Sequence, residues 1–214
     1  MNIEPGWEIF KVYKNLLKML SEREYIISEC EINLSFVDFC AIYGQELVTC
    51  SSNSSDRTSF SVSKNNGDTI LIFISKEEKV GIKPFKVYCE KMNQTGIYRA
   101  LIVYSKTITP HAKQLIQGSN SSSGKSTKYF FECFSFQQII NRAIDHEIVP
   151  KHEKLSEKEK EEFLKSRNLK LENLPKITVH DPISQHCQFA RDQVIKINRL
   201  GDAGPYKQYR LVVP

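Results

Sequence analysis

Apolar residues recur along the start of the chain at helical spacing. Ile9, Tyr13, Leu16, Leu17 and Leu20 fall on one face at 3.6 residues per turn, and Pro5 can occupy the first turn. A second helix is predicted over Phe36–Tyr43, stopped by Gly44, and the Ser/Asn cluster from Thr49 to Ser55 reads as loop. The pattern then changes. Thr58–Ser63 and Thr69–Ser75 are β-rich runs separated by a turn holding Asn66-Gly67, a dipeptide that accepts the positive φ angles of a tight hairpin. Phe85, Tyr88 and Met92 restore helical spacing, with Gly96 just beyond. Ile97–Tyr104, with ALIVY at its centre, is apolar enough to be buried on both faces of a sheet. Thr109 can cap the next helix and Pro110 fill its first position.

The alternation of strands and helices predicts a mixed α/β domain, to which Tyr129–Cys133 and Ile139–Ile144 add two further strands. Past Pro150 the character differs. Ser156-Glu-Lys-Glu159 forms a capping box ahead of a charged helix that buries Phe163 and Leu164, and its KEKEEFLK run is an ordinary solvated face. Asp181-Pro182 starts a short helix. Gln193–Asn198 and Tyr206–Val213 are two final strands joined by the Gly-bearing turn Leu200–Pro205. A boundary near residue 145 thus separates an N-terminal domain, 1–145, from an α+β piece, 146–214. That piece is small for independent stability and gains from packing on a partner.

Composition narrows the function classes. Hydrophobic residues make up 40% and charged residues 26% of the 214, which excludes wholesale disorder. No run approaches the ~18 apolar residues of a membrane span, and MNIEPGWEIF lacks the plan of a secretory signal. The six cysteines are never closer than ten positions apart, so no metal or redox pair is spelled out; they read as reduced thiols in the cytosol or nucleus. The Asn-x-Ser/Thr sites are then without consequence. Charge is uneven: residues 1–80 carry 8 Lys/Arg against 12 Asp/Glu, residues 81–145 carry 9 against 3, and residues 146–214 carry 13 against 10. The basic excess of the middle segment suits a polyanion.

Candidate chemistry is weak throughout. Gly118-Ser-Asn-Ser-Ser-Ser-Gly-Lys-Ser126 has five residues between its glycines where a P-loop needs four, and it follows a helix rather than a strand. A surface loop explains it. Asp68 with Glu77-x-Lys79 resembles a Mg²⁺-nuclease set, but the two ends lie roughly 25–30 Å apart along one strand. His146, His152, His180, His186 and Cys187 give no metal-ligand grouping, and no serine lies in a nucleophile elbow. No catalytic residue, cofactor or metal is expected.

Three stretches carry a resemblance: Lys79-Val-Gly-Ile-Lys-Pro-Phe-Lys86 continuing into VYCEKM, Thr109-Pro-His-Ala-Lys113 after the ALIVY strand, and HEIVPKH from His146 to His152. The C-terminal part adds LPKI, DPI, QVIKI and AGPYKQYRLV. In order and spacing these resemble the fifth subunit shared by the three eukaryotic nuclear RNA polymerases, a family whose C-terminal half resembles a polypeptide of archaeal RNA polymerase. The resemblance is strong from about residue 79 onward and weaker before residue 55.

It implies an N-terminal jaw domain, related to nuclease folds but without an active site, and a C-terminal assembly domain. The implied function is a non-catalytic polymerase subunit in the nucleus, including the nucleolus if all three enzymes share it. The assembly domain would dock on the largest subunit beside other core subunits, and the jaw domain would face downstream duplex DNA through phosphates. General transcription factors are further expected partners; a membrane and self-association are not. DNA-facing candidates are Lys83, Lys86, Lys106, Lys113, Lys125 and Lys128. Docking candidates are His146, Pro150, Asp181, Pro182, Tyr206, Tyr209 and Arg210. The chain departs from the family pattern at His111, usually Ser; at Gln185-His-Cys-Gln188, usually Arg-Tyr-Phe/Tyr-Gly; and at Asp192, usually Gly. The competing readings are a divergent Mg²⁺-dependent nuclease and a free transcription-factor-binding adaptor.

Overall fold

A computed structural model describes residues 5–48, 59–120, 129–201 and 204–214. The chain divides into two compact units, residues 1–141 and 142–214.

The first unit begins with α1 (Pro5–Glu22), α2 (Glu29–Ile32) and α3 (Phe36–Val48). Gly44 does not stop α3, which runs on to Val48. Upstream of that glycine, Phe39 and Tyr43 stack with Tyr13 of α1, and tertiary packing of this kind overrides a helix propensity penalty of about 1 kcal/mol. The hairpin strands β1 (Ser59–Ser63) and β2 (Thr69–Ser75) pair antiparallel, Ser63 opposite Thr69, around a turn in which Gly67 takes φ +88°. Then come β3 (Lys79–Val80), α4 (Ile82–Thr95), β4 (Arg99–Tyr104), β5 (Thr107–Ile108), α5 (Pro110–Asn120), β6 (Phe130–Ser135) and α6 (Phe136–Ile140).

The main sheet runs β1-β2-β4-β6, with β2, β4 and β6 mutually parallel. Alternation along its strands makes a three-layer sandwich. Ile70, Ile72, Ile74, Leu101, Val103 and Phe134 pack with α1, α3 and α6; Leu71, Phe73, Ala100, Ile102 and Phe131 face α4 and α5. The strand expected over Ile139–Ile144 is instead α6 followed by a 3₁₀ turn at Ala143–Asp145. The cause is local: Ser135 accepts from the Gln138 N–H while the Gln138 side chain accepts from the Ser135 N–H, a capping box that commits the next residues to a helix. Asn15 of α1 then donates to the Ile139 and Ile140 carbonyls.

The second unit contains β7 (Lys151–Lys154), α7 (Glu157–Ser166), β8 (Lys176–Thr178), α8 (Pro182–His186), β9 (Val194–Gly201) and β10 (Gly204–Val213). Its sheet runs β7-β9-β10-β8, antiparallel except where β8 joins β10. The predicted Ser156–Glu159 capping box starts α7. One sheet face packs on α7 through Val194, Leu211 and Tyr209; the other buries Ile177, Ile195, Ile197 and Val212 with Phe189.

Candidate nucleic-acid and subunit interfaces

In the first unit the connections out of the parallel strands set the site. β2 leads through β3 into α4, and β4 leads through β5 into α5, so both helices start beyond the same ends of neighbouring parallel strands. The short strands clasp this edge, Lys79 opposite Thr107 and Val80 opposite Ile108, with Thr109 N–H donating to the Val80 carbonyl at 3.0 Å. Thr109 Oγ1 also accepts from the Ala112 N–H at 3.4 Å, and Pro110 takes the first helical position.

Lys83 and Lys86, three residues apart on α4, are exposed on the side opposite the buried Phe85, Tyr88 and Met92. Lys113 and His111 are exposed in the first turns of α5. Lys106 is exposed but ion-paired with Glu78, and its hydrogen bond holds the Glu78 carboxyl below the usual range. The edge is therefore basic with an acidic inclusion, Glu77 and Glu78, rather than uniformly positive. The partial positive charge of two adjacent helix starts adds to the same field. Lys125 and Lys128 lie outside the described residues, as does most of the Ser/Gly loop.

The nuclease set does not assemble. Asp68 is spent in the hairpin turn, its carboxylate accepting from Asn66 Nδ2 at 2.9 Å, and all seven residues of β2 separate it from the Glu77–Lys79 segment. Among the described residues no three His, Cys, Asp or Glu side chains are grouped as metal ligands. The Cys133 thiol, raised to about 12 by burial first and Glu132 second, is no nucleophile.

An ionic cluster sits on the α1-covered face of the sheet. Arg23, at the end of α1 and 4% exposed in its side chain, meets Glu132 at 2.9 Å; Arg99 reaches the other Glu132 oxygen at 3.5 Å. The Arg23 guanidinium also lies over the Phe134 ring. This cluster ties α1 to β4 and β6 and has no exposed reactive group to offer.

In the second unit the docking candidates separate into three roles. Asp181 and Pro182 build a helix start: Asp181 Oδ1 accepts from the Ile183 N–H at 2.9 Å, with Pro182 in the first turn. Tyr209 belongs to the unit's own core, stacked on Phe163 at 3.9 Å. His146 and Tyr206 are exposed, while Pro150 and Arg210 are half-buried. Pro150 lends its carbonyl to His152 Nδ1 at 2.7 Å, which fixes the tautomer of that ring. Gln188 and Asp192, both glycine positions in the family pattern, keep left-handed backbones at φ +54° and +66°. The conformation a glycine favours has thus been retained without the glycine.

These features define a class: a two-unit chain, an α/β sandwich with a basic edge followed by a small four-stranded α+β unit. The C-terminal domain model of RNA polymerase Rpb5 matches residues 142–212, and its N-terminal domain model matches residues 7–92. A Caenorhabditis elegans protein named DNA-directed RNA polymerases I, II, and III subunit RPABC1 is 32% identical over 209 residues, covering 97% of this chain and 96% of the relative. The Dictyostelium discoideum protein of that name is 32% identical over 207 residues, 96% and 97% of the two chains. The chain belongs to the RNA polymerase Rpb5 family. It is a non-catalytic component of a polymerase, as the resemblance at Lys79–Lys86, Thr109–Lys113 and His146–His152 implied.

Proposed function

We propose that the chain is a subunit common to the nuclear RNA polymerases I, II and III, acting in the nucleoplasm and nucleolus as an architectural part. Residues 142–214 dock on the largest subunit beside other core subunits. Residues 1–141 present the edge around Lys83, Lys86 and Lys113 to the phosphates of downstream duplex DNA. The observation that carries the reading is collinear, near full-length similarity to relatives whose names describe a shared subunit of all three enzymes. The basic edge supports the DNA-facing part; phosphate contacts of this kind are sequence-independent and weaken steeply with salt.

The test is made in the assembled enzyme. Lys83→Glu together with Lys113→Glu weakens crosslinking to downstream DNA while leaving the subunit in the polymerase. Unchanged crosslinking removes the DNA-facing role, and loss of the wild-type chain from purified polymerase removes the whole reading. A tagged fragment 142–214 is retained by polymerase and a fragment 1–141 is not; the reverse result overturns the docking assignment.

A further inference from the structure

A hydroxyl followed three residues later by a carboxylate is the pattern that acid-directed protein serine kinases read. Among the described residues it occurs at Ser21, Ser28, Ser35, Ser75, Ser156 and Thr178. By acidic residues alone Ser156 ranks first, since Glu157, Glu159, Glu161 and Glu162 follow it. The structure ranks them otherwise. A kinase needs an exposed hydroxyl, free of strong partners, on backbone that its cleft can hold extended.

Five of the six fail that requirement. Ser75 is 6% exposed. Ser21 lies in the last turn of α1, a helix pinned in the core by Leu16, Leu17 and Leu20. Ser35 donates to Asp38 Oδ2 at 2.6 Å and Ser156 to Glu159 Oε2 at 2.7 Å, so each hydroxyl is held by the carboxylate that a kinase would have to take. Thr178 is locked in β8, opposite Val213 of β10.

Ser28 meets it. The residue is exposed, its backbone is extended at φ −67° and ψ 136°, and its side chain makes no capping bond. The chain reaches it along the outer edge of β1, where Tyr25 bridges to Lys64 and the Ile26 N–H donates to the Ser63 carbonyl at 2.9 Å. Beyond it, α2 is a single turn with no buried residue, and its Glu29 and Glu31 are exposed. A lone turn of this kind opens at small cost in free energy. Once extended, it carries Glu31 roughly 10 Å from Ser28, where a cationic cleft can hold it.

We propose that Ser28 is a phosphorylation site for an acid-directed protein serine kinase, with Glu29 and Glu31 as its specificity determinants. Ser28 Oγ attacks the γ-phosphorus of a nucleoside triphosphate, and the new O–P bond forms as the bond from that phosphorus to the β–γ bridging oxygen breaks. The nucleoside diphosphate leaves, and the hydroxyl proton passes to the catalytic carboxylate of the kinase. The phosphate adds about −1.5 to −2 charge at pH 7. It does so in a stretch, residues 1–80, that already carries 8 Lys/Arg against 12 Asp/Glu. The mark thus deepens an acidic flank, opposite in sign to the basic segment 81–145.

The test incubates the folded full chain with casein kinase 2, an acid-directed serine kinase, and ATP, and reads the sites by mass spectrometry. Phosphate enters at Ser28 faster than at Ser156. Glu31→Gln lowers the initial rate at Ser28 about tenfold, the loss of one charge-assisted contact to the kinase, while its melting temperature stays that of the wild type. No phosphate at Ser28, an equal or faster rate at Ser156, or an unchanged rate in the folded Glu31→Gln chain overturns the proposal. A second arm isolates the tagged full chain from cells treated with phosphatase inhibitors. Phosphate on the peptide containing Ser28 supports the proposal, and its absence there overturns it.

Discussion

The two sheets of this protein are covered differently. In the N-terminal unit β2 and β4 are sealed on both faces, by α1, α3 and α6 on one side and α4 and α5 on the other. Its buried ionic cluster, Arg23 with Glu132 and Arg99, is internally paired. In the C-terminal unit one face is packed by α7, while the other runs out from a small apolar cluster into Arg199, Gln208 and Arg210, whose buried polar atoms lack partners. Among the described residues, the N-terminal unit leaves the buried hydroxyls of Tyr25 and Ser59 without partners, whereas the C-terminal unit leaves the Ser184 hydroxyl and, together on one sheet face, two guanidinium nitrogens and an amide oxygen. The N-terminal unit carries surface charge at a strand edge, and the C-terminal unit carries unpaired polar atoms inside one sheet face.

The sharpest break of this contrast is in the sealed sheet. Ile102→Ala, at a fully buried position of β4, costs about 2–5 kcal/mol in urea unfolding of the N-terminal unit. A loss under about 1 kcal/mol would mean that this sheet is not packed as described. Glu132→Ala strips Arg23 of its buried counter-charge and costs about 3 kcal/mol. By contrast, removing the Arg199 guanidinium, whose Nε is buried without a partner, leaves the stability of the free chain nearly unchanged. Equal losses at the two sites would erase the distinction between a paired and an unpaired buried charge.

Smaller effects sharpen the C-terminal half. Asp192→Gly and Gln188→Gly each relieve a left-handed backbone and raise stability by about 1 kcal/mol. A decrease in either melting temperature would show that the side chain makes a compensating contact. The smallest effect is in pH. With its folded pKa below the unfolded value near 6.5, His152 binds fewer protons in the folded state. Its contribution is complete above about pH 6.5 and is lost as pH falls towards the folded pKa. His152→Asn flattens the stability slope below about pH 6.5. Glu153, held down to about 2 first by its hydrogen bonds to Lys196 and Lys151, acts only at lower pH.

Much of this was legible in the chain, and the failures have causes. The ALIVY strand and the Thr109-Pro110 helix start follow from burial and capping, and both stand where the pattern put them. The strand expected at Ile139–Ile144 was a misjudged period: Ser135-x-x-Gln138 carries the same capping signal as Ser156-x-x-Glu159, but sits ahead of a short apolar run that also suits a strand. The edge strand β7, Lys-His-Glu-Lys, has no apolar alternation to reveal it and exists because β9 pairs with it. Charge counting found the basic segment but not the Lys106–Glu78 pair that neutralises part of it. Tyr209 and Arg210, adjacent in sequence, went to opposite faces, and only β register shows which packs with Phe163 of α7 and which joins the face of Ile195 and Ile197. The same alternation could have added Arg199 and Gln208, which share a face with Ile195 and Ile197.

The central claim, that this 24.7 kDa chain works as a built-in part of a polymerase, is tested most directly by gradient sedimentation of a native extract, with mass spectrometry of the fractions. The account predicts that the chain travels with the large polymerase subunits in a polymerase-sized particle. A chain found wholly in a free pool near its own mass, with none in the polymerase fractions, would contradict it.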